Sequence, residues 1–180
     1  MSDPPASPKI ANPKIAGKGP IIRRFDDADV PFQAVRAQRN ADGSESFVRE
    51  KWFSFSPDPQ YLSLYAEYDP GMMVRRHGHY SPHIVFVIDG GLWFGDRWCP
   101  KGSHIELPFG AAFGPIRAGE EGAKLFEVMM GDPRSWGDDP SAFERVLAEH
   151  GVEPLPDPAI DFPAWLQDLR RHWDGAPDPE

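Results

Sequence analysis

Several features are scarce in this chain of 180 residues, and each scarcity excludes a class of protein. A single cysteine, Cys99, allows neither an intrachain disulfide nor a Cys-x-x-Cys metal site, and we interpret it as structural. No apolar run approaches the roughly 20 residues that a membrane helix needs. Residues 1–19 lack the apolar segment of a secretory signal, which predicts a cytoplasmic location. The formal net charge of −9 argues against nucleic acid as a partner.

The composition is that of one globular domain with polar ends. Hydrophobic residues make up 40% of the chain and charged residues 26%. Residues 1–18 are mainly Pro, Ala, Ser and Lys, which predicts a disordered arm. We predict a β domain over 19–135, a helical extension over 136–174 and a disordered tail over 175–180.

Short strand signals separated by Gly, Pro and Asp fill the middle of the chain. Each mixes aromatic or β-branched residues with polar ones and ends at a turn signal. The predicted strands cover residues 46–55, 61–68, 83–89, 92–98, 104–107 and 124–130. Strands this short and this evenly spaced are typical of a β-sandwich or a small barrel.

Two helices are predicted after the strands. Asp139 can cap the first, which would begin at Pro140 and end before Gly151. The second would run from about residue 163 to 173. Its apolar stripe would pack on the outside of the barrel or form a dimer contact.

The histidines are clustered, and this clustering is the most informative feature of the chain. Four of the six lie between His77 and His104. Side chains two apart in a strand share a face, so His77 and His79 would project together. A turn follows, and His83 opens the next strand, which could return to the same cavity. Three neutral imidazoles suit several divalent metals and leave open positions, as catalytic sites do.

Around these histidines the chain resembles the cupin superfamily. The first cupin motif is Gly, five residues, His-x-His, three or four residues, Glu, six residues, Gly. Gly71, His77, His79 and Gly90 match this spacing, and His83 stands where the family has its glutamate. The motif is fairly specific, because both glycines keep register with the histidines.

The second cupin motif is matched in part. Its pattern is Gly, five residues, Pro-x-Gly, two residues, His, three residues, Asn. Gly102, Pro108 and Gly110 match, whereas Phe113 falls at the histidine position and Arg117 at the asparagine position. A fourth metal ligand from this motif is therefore missing.

The resemblance covers residues 65–130 and implies an all-β fold, a single jelly-roll barrel of the cupin type followed by the two α-helices. It also implies a mononuclear divalent metal, Fe(II) first and Zn, Ni or Mn as alternatives, bound by His77, His79 and His83. The implied function is a dioxygenase that acts on a small organic acid or an enolic or aromatic compound. A homodimer is implied as well.

Other side chains are candidates for catalysis. Arg75 lies two residues before His77, so in a strand it would face the same side. It could bind a substrate carboxylate there, or it could be a surface charge. His104 could supply the missing metal ligand, or it could act as a base together with Glu106, which shares its strand face. Plain alternation, however, would place Ile105 inward and these two side chains outward.

The substrate pocket is predicted from four residues that a barrel interior could contain. Three of them are aromatic, and core packing explains those three equally well. The predicted pocket residues are Tyr65, Arg75, Phe86 and Phe113.

Two other functions remain open. A non-catalytic cupin that binds or senses a small molecule is supported by Phe113 in place of the second-motif histidine. A metal-independent cupin isomerase could use His83 or His104 as its base. Elemental analysis of protein purified without added metal separates the first of these from the metal enzyme.

Overall fold

Eleven strands and one helix make up the part of the chain that the structure describes. A computed structural model describes residues 20–57, 59–137 and 140–160. The elements are β1 (Gln33–Arg39), β2 (Glu45–Pro57), β3 (Gln60–Tyr68), β4 (Met73–Val74), β5 (His77–His79), β6 (His83–Phe94), β7 (Arg97–Pro100), β8 (His104–Leu107), β9 (Ile116–Met129), β10 (Ser135–Gly137), α1 (Pro140–Glu149) and β11 (Glu153–Pro154). None of the described helices has the length and apolarity to span a membrane.

Nine strands form one antiparallel sheet that is not closed. Its order is β11-β1-β2-β3-β9-β6-β7, with β4 added to β9 and β8 added to β6. Strands β5 and β10 form a separate pair. The predicted barrel is therefore a jelly-roll sandwich whose hydrogen-bonded path has two ends among the described residues. Strand β9 changes partners along its length, pairing with β4 near Ile116 and with β3 from Ala123 onward.

The core lies on the inner face of this sheet. Along β6, His83, Val85 and Val87 are buried, because side chains two apart point to the same side. The register continues this layer across β9, where Met129 lies opposite His83 and Glu127 lies opposite Val85. Polar side chains thus occur within an otherwise apolar layer.

The strands predicted from the sequence are present, and β1 is the longest of the strands that were not predicted. Strand β9 begins eight residues before the predicted start, at Ile116. Strand β1 was missed because its inward positions include two buried glutamines, Gln33 and Gln38. The Gln38 side chain donates to Asn40 and accepts from the backbone N–H of Met73, so its burial is satisfied.

The first predicted helix is confirmed as α1. It begins at Pro140, and Gly151 follows its end with φ of +65°, the left-handed conformation that glycine adopts most readily. Leu147 is its buried residue. The second predicted helix, the N-terminal arm and the C-terminal tail lie outside the described residues.

Candidate functional site

The three clustered histidines are placed by a short strand pair and by the start of β6. Strand β5 pairs with β10 so that His77 lies opposite Gly137 and His79 opposite Ser135. A side chain on Gly78 would clash with its surroundings, since its Cβ would stand 2.5 Å from a ring carbon of Trp136 and 2.6 Å from the Ala111 carbonyl oxygen. The glycine between the histidines is therefore required by the close packing.

The three rings line one side of a single cavity. The ring centroids of His77 and His79 are 5.2 Å apart, and those of His79 and His83 are also 5.2 Å apart. Two imidazoles that ligate one ion, with metal–nitrogen distances of about 2.0–2.1 Å, have centroids roughly 5 Å apart. The spacing of neighbouring rings is thus suited to a shared ion.

Backbone carbonyls fix the tautomers of the first two histidines. His77 Nδ1 lies 2.9 Å from the carbonyl oxygen of Arg75, and His79 Nδ1 lies 2.8 Å from that of Pro133. A carbonyl oxygen only accepts, so each Nδ1 carries the proton and donates it. Each Nε2 is left with a lone pair, which is the arrangement typical of metal-binding histidines.

His83 is held by a carboxylate instead. Its Nε2 donates to Glu127 Oε2 over 2.9 Å, and both side chains are buried. The other ring nitrogen, Nδ1, is also buried and has no hydrogen-bond partner within the described part of the chain. An unpartnered buried lone pair costs free energy, and a cation or a ligand hydroxyl in the cavity would satisfy it.

Burial keeps the first two rings neutral. It lowers the pKa of His77, and it lowers the pKa of His79 to about 4. The neighbouring His83 opposes a charge on His79 as the second cause. Both rings therefore offer lone pairs at neutral pH, as a metal requires.

The ring positions do not yet form a complete metal site. Within the residues described, no group of three or more His, Cys, Asp or Glu side chains is arranged to hold a metal ion. The Phe113 ring packs among the histidines, with its centroid 4.4 Å from that of His77 and 6.1 Å from that of His83. The chemistry of the nitrogen donors fits a divalent ion.

The cavity is small and mostly apolar. It encloses about 130 Å³, well below the ~300–1,000 Å³ of pockets for drug-sized ligands. Its apolar walls come from β2, β3, β6 and β9, and Ile160 closes one side. Four polar side chains besides the histidines reach it from the sheet, namely Arg36, Glu50, Tyr68 and Glu127. A ligand of a few non-hydrogen atoms is the appropriate size.

Comparison with known proteins gives structural neighbours only. No family model matches the chain, and no curated protein matches its sequence. A candidate acetylacetone dioxygenase from Methylibium petroleiphilum PM1 superposes with a TM-score of 0.53 at 13% identity, over 87% of this chain and 97% of that one. An acetylacetone dioxygenase from Acinetobacter johnsonii superposes with a TM-score of 0.51 at 12% identity, over 64% of this chain and 76% of that one.

A third neighbour is a cupin-2 domain from Rhodospirillum rubrum, with a TM-score of 0.49 and 14% identity over 73% of this chain and 90% of that one. The chain has the cupin fold. His77, His79 and His83 lie on the cavity wall of this fold, and the Phe113 ring lies beside them. Identities this low establish the fold and leave the activity open.

The predicted pair His104 and Glu106 lies outside the cupin cavity. Both side chains are on the outer face of β8, where His104 Nε2 is 3.2 Å from Glu106 Oε1 and more than half of each side chain is exposed. Ile105 and Leu107 point inward, as alternation predicts. These two predicted catalytic residues are therefore surface residues, because their strand turns the other parity to the core.

Two predicted pocket residues also lie elsewhere. Phe86 is 43% exposed on the outer face, between the inward-facing Val85 and Val87. Tyr65 has the outward parity in β3, where its hydroxyl donates to Glu67 Oε1 and its ring packs on Phe25. Neither side chain lines the cavity.

Arg75 and Phe113 do reach the cavity. Arg75 is exposed, and its backbone carbonyl is the acceptor for His77. Its guanidinium packs at Gly137, where an added Cβ would stand 2.8 Å from the Arg75 Cζ. Arg75 thus stands at the edge of the histidine wall, where a ligand could be met by a positive charge.

Four cavity residues were missed by the sequence analysis, although strand parity could have found three of them. Glu127 falls between Leu125 and Met129 on the buried side of β9. Glu50 shares the parity of Val48 and Trp52 in β2, and Tyr68 that of the buried residues of β3. No comparable signal identifies Arg36, whose neighbours in β1 are irregular because of a bulge.

Proposed function

We propose that this cupin is a mononuclear metal-dependent enzyme, a dioxygenase that acts on a small enolisable compound. The 1,3-dicarbonyl compounds are the substrate class we consider first. Two neighbours with TM-scores above 0.5 are named as acetylacetone dioxygenases, one of them as a candidate. This agreement supports the proposal. Because the sequence identities are low, the residues of the cavity carry the main support.

One observation carries the proposal. Three imidazoles line one cavity, each with one ring nitrogen held by an oxygen acceptor and the other nitrogen without a partner among the residues that the structure describes. Histidines that ligate metals are oriented in the same way, and the oxygen acceptor also raises the basicity of the free nitrogen. His77, His79 and His83 are the residues that would bind the ion.

A divalent metal, with Fe(II) first, would supply Lewis acidity toward a substrate oxygen and the capacity to activate dioxygen. The protein contributes the surroundings. Three neutral imidazoles leave the full positive charge of the ion in place, which favours an anionic enolate over a neutral ketone. Glu127 holds His83 in position, and the apolar walls keep water out of the reacting region.

The cavity also limits the substrate. About 130 Å³ admits a molecule of only a few carbon atoms, and most of the wall is aliphatic or aromatic. Glu50 and Glu127 add two carboxyl groups on the sheet side, which disfavours a substrate carrying its own carboxylate there. A small neutral diketone therefore fits better than the organic acids that the sequence also suggested.

Elemental analysis tests the metal. Protein purified without added metal or chelator should contain close to one transition-metal ion per chain by mass spectrometry of the metals. His77→Ala combined with His79→Ala should lose it, while His104→Ala on the outer face should keep it. The proposal is wrong if the unaltered protein, also after exposure to Fe(II), retains no metal.

An oxygen electrode tests the reaction. Fe(II)-loaded protein should consume dioxygen when acetylacetone is added and should not respond to acetate. The double histidine variant should be inactive under the same conditions. Metal binding without any oxygen consumption would leave a metal cupin of another reaction class.

A cupin that binds a small molecule without catalysis is the second candidate. Phe113 favours it, because the ring fills the place of a fourth ligand and packs against all three histidines. This function predicts metal-free protein that still binds a small diketone, as measured by calorimetry.

A further inference from the structure

Glu50 is a partly buried carboxyl on the cavity wall that the histidine cluster does not use. It lies on β2, opposite Ala66 of β3, which in turn lies opposite Leu125 of β9. The histidines come from β5 and β6. Two antiparallel strands, β3 and β9, lie between β2 and β6. At about 4.8 Å per strand, Glu50 therefore lines the same cavity well away from His83 along the sheet.

The partners of Glu50 leave one of its oxygens free for a ligand. Trp52 Nε1 donates to Oε2 over 2.6 Å. Among the described residues, Glu50 forms no ion pair, and no donor reaches Oε1. The positive charge of Arg36 acts on Glu50. The Arg36 guanidinium, however, forms its ion pair with Asp157, at 3.1 Å. A carboxyl with one neutral donor and one open oxygen is prepared to exchange a proton with a bound molecule.

The charged groups around Glu50 place its proton exchange near neutrality. Burial raises the pKa of Glu50 to about 7, and the carboxylate of Glu127 on β9 adds to this effect. The hydrogen bond from Trp52 and the charge of Arg36 on β1 oppose it. Tyr68 on β3 has a pKa raised by burial and by both carboxylates, so it stays neutral.

We propose that Glu50 is a catalytic residue that removes a proton from a carbon of a substrate bound in the cavity that it shares with the histidines. The inference rests on the proposed function, because it requires an enolisable substrate in this cavity. It goes further by assigning the proton transfer to a residue that no cupin motif contains.

The step balances within the protein and its substrate. The Glu50 carboxylate takes the proton from the carbon between two carbonyl groups and becomes a neutral carboxylic acid. The electron pair of the broken C–H bond moves onto a carbonyl oxygen and gives the enolate. No oxidant or reductant is needed, and return of the proton restores the diketone.

Glu50→Gln is the test variant, because the amide keeps the acceptor for Trp52 and removes the base. Zinc-loaded protein and acetylacetone are mixed without oxygen, and the ultraviolet absorbance of the bound enolate is followed by stopped flow. Zinc permits no redox chemistry, so proton transfer is observed alone. We expect the variant to form enolate at least about 100-fold more slowly, with unchanged zinc content.

Glu121→Gln is the matched control, since Glu121 is exposed on β9, and it should keep the rate of the unaltered protein. Glu50→Ala with and without formate is the second variant. It should be slow and should recover when formate supplies a carboxylate. Enolate formation at the unaltered rate in either Glu50 variant overturns the inference.

The two proposals can fail separately. If the unaltered protein binds zinc and acetylacetone and the Glu50 variants are equally fast, the inference alone is wrong. If the unaltered protein binds neither, the proposed function fails and the inference fails with it.

Discussion

Two histidine–carboxylate pairs lie on opposite faces of the same sheet. On the inner face, His83 Nε2 is 2.9 Å from Glu127 Oε2, and the side chains are 3% and 9% exposed. On the outer face, His104 Nε2 is 3.2 Å from Glu106 Oε1, and the side chains are 52% and 75% exposed. The residue types are the same and the distances differ little. Burial is the large difference.

This difference decides what each pair can do. Water screens the outer pair and competes for its hydrogen bonds, so the two side chains are weakly coupled. The inner pair is almost fully buried, and its hydrogen bond fixes which nitrogen of His83 carries the lone pair. A functional role is therefore indicated by the surroundings of a histidine and a carboxylate rather than by their spacing in the sequence.

The largest expected effect is the loss of the inner carboxylate. Glu127→Ala should lower the free energy of unfolding by about 3 kcal/mol, because it leaves the buried N–H of His83 without an acceptor and opens a void. Glu106→Ala should change it by less than about 0.5 kcal/mol. Urea unfolding followed by circular dichroism measures both. Equal effects would remove the distinction between the faces.

The second prediction concerns pH and the inner face. The pKa of Glu50 is about 7 in the folded protein, against the ordinary value of 4.5 that applies to the unfolded chain. The folded protein therefore holds the proton more tightly than the unfolded chain does. This contribution to stability is complete below pH 4.5 and declines as the pH rises through 7. Glu50→Gln should remove the decline, which amounts to on the order of 2 kcal/mol.

Urea unfolding at several pH values measures that decline. The outer-face variant Glu106→Gln is the control and should follow the unaltered protein throughout. The difference in unfolding free energy between the Glu50 variant and the unaltered protein should change between pH 5 and pH 8. A difference that is the same at both pH values would contradict the prediction.

A third variant would complete the inner cluster. Phe113→His places a fourth imidazole where a ring already lies 4.4 Å from that of His77. We expect Zn²⁺ to bind at least about tenfold more tightly, which is about 1.4 kcal/mol. Phe126→His on the outer face is the matched control and should not change the affinity. Calorimetric titration measures both, and unchanged affinity in the first variant would argue against a metal position beside Phe113.

The smallest expected effect is the coupling within the outer pair. A double-mutant cycle on His104 and Glu106 should give less than about 0.5 kcal/mol. Added salt should reduce it further, because both side chains are solvated. A coupling above about 1 kcal/mol would mean that this surface pair is not screened as its exposure implies.

The sequence predicted the fold well wherever strands alternate and end at turns. The cupin spacing also identified His77, His79 and His83, which lie together on the cavity wall. Strand β1 escaped prediction because buried Gln38 is satisfied by Asn40 and by backbone groups distant in sequence, and such partners cannot be read from one strand.

The other half of the site was not predicted. Glu50 and Glu127 are charged residues on inward parity, and composition alone suggests that such residues face water. His104 and Glu106 were selected by residue type, whereas the apolar Ile105 and Leu107 between and beside them already indicated the opposite face. Parity is a better guide than residue type in short strands of a sandwich.

The close contact at Gly78 has a practical consequence. Because no side chain intervenes there, the indole of Trp136 sits directly against the backbone that joins His77 and His79. Its fluorescence should be quenched when a paramagnetic or redox-active ion binds nearby, whereas zinc should not quench it. Replacing Trp136 with Phe would show how much of the fluorescence change comes from this residue. Tryptophan fluorescence can thus report whether an ion is bound at the histidines.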